Sequence, residues 1–409
     1  MRLSGIGTTL RGLINTGGNE PTLDRKRRVK RLPVPSKPIK TVLWAIGIAV
    51  IAGAIDLGLP AEDMFRAVRA EIRTHDAPHD IVVVTVDDKT LNALKADVPD
   101  RKQDAELIDR LFEAGATRVF FDKAYADPSN AASDAAFAKA LERRDQVYLG
   151  AAPKSEEGIE RYEVMMPAKL FRDRAKLASM VGEAGPFDLS YRFPTSEKIG
   201  DETIPSISAG LAGYQGPDRS YRPDFGIDIH SIANVSYIDV LNGRFDPQLL
   251  KGAAVVVGQT FSGSSDRHYE PLGSKVPGVY FHALGAHTLR AGMPVDLGWI
   301  PALLLSAATL LLQATRRAPK KRVSALVLAA LLMAPLALDY LSIGIDVFPA
   351  LLCLGIGLIG LERHARRMFD ETTGCLRVEA LERAEPDPSV LVFALKIKEF
   401  SSHILQVSR

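Results

Sequence analysis

"DIVVVTVDD", Asp80 to Asp88, is the stretch on which the fold turns. An unbroken β-branched run of this length belongs to a strand covered on both faces, because a half-exposed strand would alternate with polar residues. Downstream, "DAELIDRLFEAGA" (Asp104–Ala116) sets Leu107, Leu111 and Ala114 at helical spacing. "TRVFFDKAYA" (Thr117–Ala126) then reads as a strand, "SDAAFAKALERRD" (Ser133–Asp145) as a helix and "QVYLGAAP" (Gln146–Pro153) as a third strand. This β-α-β-α-β order makes a parallel sheet. A later strand, "AAVVVGQT" (Ala253–Thr260), leads through a Ser/Gly loop to "VPGVYFHALGAHTLRAG" (Val276–Gly292), which starts with Pro-Gly and continues as a helix. The fold class is α/β, a mostly parallel sheet with helices on both faces.

The rest of the chain is organised by four apolar blocks: residues 41–59, 297–314, 323–341 and 345–361. Each is close to the roughly 20 apolar residues a spanning helix needs. Basic residues flank them on alternate sides: "DRKRRVKRLPVPSKPIK" before the first, "TRRAPKKR" (Thr315–Arg322) after the second and "ERHARR" (Glu362–Arg367) after the fourth. Only "SIG", beside Asp339 and Asp346, separates the third from the fourth. Four crossings put every basic cluster on the cytoplasmic side. The expectation is an inner-membrane protein with four transmembrane helices, both termini cytoplasmic, and residues 60–296 in the periplasm. The first block serves as an uncleaved anchor, Pro335 and Asp339 interrupt the third, and the basic tail 1–40 does not fold.

With 409 residues and a net charge of +2, the chain exceeds one ordinary domain and offers no nucleic-acid footprint. Its two cysteines, Cys353 and Cys375, leave the outer region without a disulfide and form no zinc-type spacing. No cofactor or metal is expected.

"IVVVTVDDKTLNAL", "ATRVFFDKAYADP" with "SDAAFAKAL", "LKGAAVVVGQT" and "VPGVYFHALGAHTLRAG" together resemble the CHASE2 domain, in the order that family uses. The resemblance implies an extracytoplasmic sensory module of a bacterial signalling receptor, followed by about three membrane helices. It further implies a homodimer that responds to a small molecule or a periplasmic protein.

In parallel sheets, ligands sit beyond the carboxyl ends of the strands. Asp87, Asp88, Asp122 and Thr260 lie there, with Asp266 and Arg267 of the "FSGSSDRH" loop at the rim. These residues either line a polar ligand crevice or cap the following helices and pair with one another. His282 and His287 are five residues apart, about 140° around a helix; a metal pair on one helix is spaced by three or four. The two histidines therefore mark a relay helix that carries movement toward the membrane helix starting near Leu297. No nucleophile elbow, Walker sequence or G-x-G-x-x-G accompanies the carboxylates, so no catalytic residue is assigned.

Residues 362–409 resemble the start of a GGDEF (diguanylate cyclase) domain. Asp370, Thr373 and Gly374 match the family's first-helix motif, whereas Thr372 and Cys375 stand where leucine is usual. The resemblance implies an Asp four residues before Phe400, to hold Mg²⁺; this chain has Lys396, and Lys398 replaces the second Asp. An ammonium cannot ligate a cation that needs hard oxygens. A degenerate remnant, not an active cyclase, is expected, either continued in the natural protein or ending as a sensor without its own output. The leading reading is a transmembrane receptor feeding cyclic-di-GMP signalling. A membrane-anchored periplasmic enzyme and an envelope assembly protein are the alternatives.

Overall fold

The computed structural model describes residues 36–156, 159–184, 191–273, 275–316, 319–370 and 377. The expectations for the tail before Ser36 and for the GGDEF-like remnant beyond Asp370 lie outside these residues, Arg377 apart. The elements below all belong to, or run into, the compact unit Pro38–Arg409.

Seven strands build the main sheet: β1 (Ile81–Val86), β2 (Arg118–Phe121), β3 (Val147–Glu156), β4 (Ile159–Met165), β5 (Lys176–Ser179), β6 (Asn234–Ser236) and β7 (Ala254–Gln259). The order β6-β1-β7-β2-β3-β5 is parallel throughout, and β4 folds back antiparallel on the far half of β3. β7, late in the chain, is inserted between β1 and β2, with Val256 opposite both Val83 and Phe120.

Among the described residues, twelve helices accompany the strands: α1 (Ser36–Ala54), α2 (Leu59–Ile72), α3 (Asp88–Leu94), α4 (Arg101–Glu113), α5 (Ala131–Arg143), α6 (Lys169–Arg172), α7 (Ile207–Ala212), α8 (Tyr237–Leu241), α9 (Gly278–Ala291), α10 (Ile300–Ala314), α11 (Lys321–Asp339) and α12 (Phe348–Met368). The β-branched run of β1 is buried at every position, and successive residues serve two cores. Val82, Val84, Val119, Phe121 and Val255 pack with Leu107, Ile108 and Leu111 of α4 and Phe137 of α5. Ile81, Val83, Phe120 and Val256 pack with Ile207 and Leu211 of α7 and Val279, Ala283 and Leu284 of α9. Burying each such side chain contributes roughly 1.5–3 kcal/mol, so this two-sided sheet dominates the stability of the outer domain.

Some boundaries differ from the sequence reading for local reasons. α4 begins at Arg101 because Asp100 and Gln103 close a capping box. β2 ends at Phe121, where Asp122 makes the last ladder bond to the Val257 carbonyl. The first apolar helix starts at Ser36 and ends at Ala54; the chain then turns and restarts as α2, with Pro60 in its first turn. α11 runs through Pro335 without a break.

α1, α11 and α12 are long and apolar enough to cross a membrane, with candidate spans of 18, 19 and 21 residues. α10 has 15 residues, about 22 Å of helix, less than the roughly 30 Å of a bilayer core. The count of four spanning helices is therefore met by length in three. α10 still packs in the same apolar core, its Leu310 seated on Gly357 of α12 so closely that a Cβ there would overlap it. Gly360 faces Thr41 of α1 in the same way, whereas Gly355 has open space beside it. Of the glycines in "LGIGLIG" (Leu354–Gly360), two thus serve packing within one chain.

Helix ends sort by charge. Gln313 bonds Ser324 Oγ (3.1 Å) and the Lys320 amide (2.7 Å) around the basic turn between α10 and α11. At the other end, Val295–Asp296 pairs in parallel with Ile343–Gly344, which joins the head of α10 to the α11–α12 hairpin. That second end faces α2 and the outer domain.

Candidate functional site

The strand-end carboxylates are largely consumed by the fold. Asp87 is the N-cap of α3 and accepts from the Thr90 amide (2.8 Å), Thr90 Oγ1 (2.6 Å) and Ser236 Oγ (2.9 Å). Asp88 accepts from the amide and hydroxyl of Ser262, so it ties the loop after β7 to the end of β1. Thr260 donates its amide to the Val86 carbonyl. Asp266 lies against the N-terminus of α9, where Gly278 leaves space for its carboxylate, and also contacts His268 Nε2 (3.1 Å). Arg267 bonds the Lys275 carbonyl (3.1 Å) across a short hairpin. Asp87 caps a helix as the second alternative expected, whereas Asp88, Asp266 and Arg267 bond Ser262, His268 and the Lys275 carbonyl and not one another. Replacing Asp87 by alanine is expected to cost about 1 kcal/mol of unfolding free energy, the usual loss for an N-cap. A neutral result in chemical denaturation would return this carboxylate to a binding role.

The two histidines serve opposite ends of the sheet. His282 Nε2 lies 3.6 Å from Asp122 Oδ1 at the carboxyl end, whereas His287 Nδ1 lies 3.6 Å from Asp80 Oδ1 at the start of β1. They do not converge. His287 is 2% exposed, and neither ring nitrogen has a hydrogen-bond partner. Burial, opposed by Asp80 and reinforced by Arg290 and His79, lowers its pKa to about 4.

A buried polar cluster beneath the carboxyl end was not anticipated. Asp104 accepts from Tyr237 Oη (2.8 Å) and Tyr125 Oη (3.0 Å), with Lys123 Nζ 3.5 Å away. Burial raises its pKa despite these partners.

The largest constellation lies at the other end of the outer domain, on α2. Glu62, Arg66, Arg69 and Arg73 recur at intervals of four, three and four, so they form one stripe along the helix. Met64, Val68 and Ile72 occupy a separate face and are exposed. The usual polarity of a surface helix is thereby reversed, with charges inward and apolar side chains outward.

Each charge on the stripe has a distant partner. The Glu62 carboxylate caps α12 by accepting from the amides of Val347 (2.8 Å) and Phe348 (2.9 Å). Arg66 pairs with Asp346, and Arg69 Nε with Asp339 Oδ2 at 2.7 Å, at the end of α11. Arg73 reaches into the outer domain to Asp224 (2.7 Å), while the outer domain's Arg222 returns to the buried Asp63 (3.2 Å). Burial raises the pKa of Glu62, offset in part by the two capping amides. Burial alone would lower Arg66 and Arg73, but Asp346 and Asp224 respectively outweigh it and hold both above the ordinary value.

Between these layers lies a cavity of about 390 Å³. Its walls come from α2, from residues 219–227, from residues 291–296 after α9 and from the α11–α12 hairpin, and they carry six arginines (66, 69, 73, 192, 219, 222) and four aspartates (63, 224, 296, 339). The sequence reading missed this site. The four-three-four spacing on α2 was visible, but its partners Asp224, Asp339 and Asp346 are 151 to 280 positions away. Asp339 is the last residue of α11. Among the described residues, no three potential metal ligands converge.

A family model described as the CHASE2 domain matches residues 41–315. No curated protein and no solved structure matches the chain. The matched span runs from α1 to the end of α10, so it contains the α2 stripe and the outer-domain wall of the cavity. The hairpin wall, with Asp339, lies beyond it.

Proposed function

We propose that this chain, which belongs to the CHASE2 domain family, is a bacterial inner-membrane receptor whose outer α/β domain senses an extracytoplasmic cue and passes it through the membrane helices. CHASE2 domains are extracellular sensory domains, and the helices available here suit a membrane anchor. The observation that carries the reading is the α2 stripe: one helix binds the outer domain through Arg73–Asp224 and Arg222–Asp63, and the end of α11 and the start of α12 through Arg69–Asp339 and Glu62. A displacement of the outer domain therefore meets the membrane helices at charged contacts, not through a slack linker. Signalling requires that the ligand bind two arrangements of this junction with different affinity; equal affinity shifts nothing.

In this reading α10 crosses as a fourth, short helix, the termini are cytoplasmic, the receptor works as a homodimer, and its output is cyclic-di-GMP signalling. The engagement of Asp87 and Asp88 in caps and loop ties favours a binding module over an enzyme. Alkaline phosphatase fused at residue 200 is expected to be active, and fused at residue 318 inactive. The opposite pattern rejects the topology and, with it, the receptor.

A further inference from the structure

We propose that the junction cavity is a binding site for a phosphate-bearing anion. Its volume, about 390 Å³, lies within the roughly 300–1,000 Å³ of small-ligand sites. Six arginines and four aspartates line it, with Asp346 and Glu62 beside Arg66 and Arg69 just outside the lining. Several guanidinium donors nevertheless find no acceptor. Arg69 is 2% exposed with neither Nη hydrogen-bonded, and the Nε atoms of Arg66, Arg73 and Arg222 also lack a hydrogen-bond acceptor. Arg219 is exposed and has no carboxylate partner among the described residues. A guanidinium offers its donors in a planar fork that fits phosphate oxygens two at a time.

The local field agrees. Burial and then the like charges of Arg66 and Arg192 lower the pKa of Arg222 from its ordinary value. An entering anion relieves that repulsion. It also competes with Asp339 and Asp346 for the α2 arginines, which loosens the grip of α2 on the α11–α12 hairpin. The binding needs only the cavity; its effect on the membrane helices rests on the receptor reading above.

Two sources carry this chemistry. Arg73 lies 5.9 Å from the ring centre of the exposed Tyr340, next to the exposed Leu341. That apolar flank at the helix ends suits the chain of an anionic phospholipid. The outer-domain wall suits a soluble phosphorylated compound equally well.

The test uses the purified full chain. In maltoside micelles it is titrated with sn-glycerol 1-phosphate by calorimetry. In nanodiscs of phosphatidylcholine doped with phosphatidylglycerol, retained lipid is counted by native mass spectrometry. One phosphate-bearing anion per chain is expected from one of the two arms, and the arm identifies the source. Arg219→Ala and Arg192→Ala should each weaken binding about tenfold, as loss of a charge-assisted hydrogen bond does. Both positions are exposed or half-exposed, so an unchanged thermal midpoint certifies the fold. No binding in either arm, binding indifferent to both variants, or succinate binding as tightly as glycerol phosphate overturns the proposal. The phosphatase fusions test the receptor separately, so either idea can fail alone.

Discussion

Replacing Arg69 by alanine is expected to lower the unfolding free energy by about 3–5 kcal/mol, the range for removing one member of a buried ion pair. Arg69 bonds Asp339 at 2.7 Å, stands 3.9 Å from Glu62 and stacks over the Phe65 ring at 4.4 Å. Alanine removes the packing and strands the Asp339 carboxylate, whose next cation, Arg73 Nε, is 4.0 Å away. Most of the cost is the uncompensated charge. The double variant Arg69→Met with Asp339→Leu should therefore recover most of the loss. Chemical denaturation of the full chain in micelles measures both. A single variant within about 1 kcal/mol of the parent, against that range, would mean that the junction does not hold the outer domain to the helices.

The second large effect is on acid stability. His287 has a folded-state pKa of about 4, against about 6.5 when unfolded. The neutral ring is thus favoured by the fold, and the unfolded chain takes up the proton first. The resulting stability is complete above about pH 6.5 and is lost as pH falls toward 4, by about 3 kcal/mol in total. His287→Met should flatten this part of the profile, and the parent should steepen it, in denaturation series between these two pH values. Equal slopes in the two proteins would show that His287 is not the group responsible. Asp80, Arg290 and His79 surround the ring and remain in both proteins, so they cancel in the comparison.

Much of the sheet was legible because its physics is local. The run Ile81–Val86 can be buried at every position only by helices on both sides, and both sides are covered. Leu107 and Leu111 fixed the buried face of α4 in the same way. Strand order was less accessible: nothing in the segment Ala254–Gln259 says that it enters between β1 and β2. The site was harder still. Asp87 looks the same in a sequence whether it awaits a ligand or caps a helix, and its Ser236 partner comes from a strand 149 residues later. The arginines of α2 drew no reading, since charges just after an apolar span look like a solvated surface. Their helical spacing was readable, whereas the acidic partners become visible only when the chain is folded.

The reversed polarity of α2 decides where this protein can be cut. A fragment beginning at Pro60 would carry Met64, Val68 and Ile72 into water as a greasy edge, which invites self-association. Its inward charges would meanwhile lose Asp339 and Asp346, left behind with the helices. Starting after Arg73 avoids both troubles and keeps the sheet, but forfeits three of the six arginines around the cavity. Solubility and the intact pocket are therefore mutually exclusive in any excised sensor.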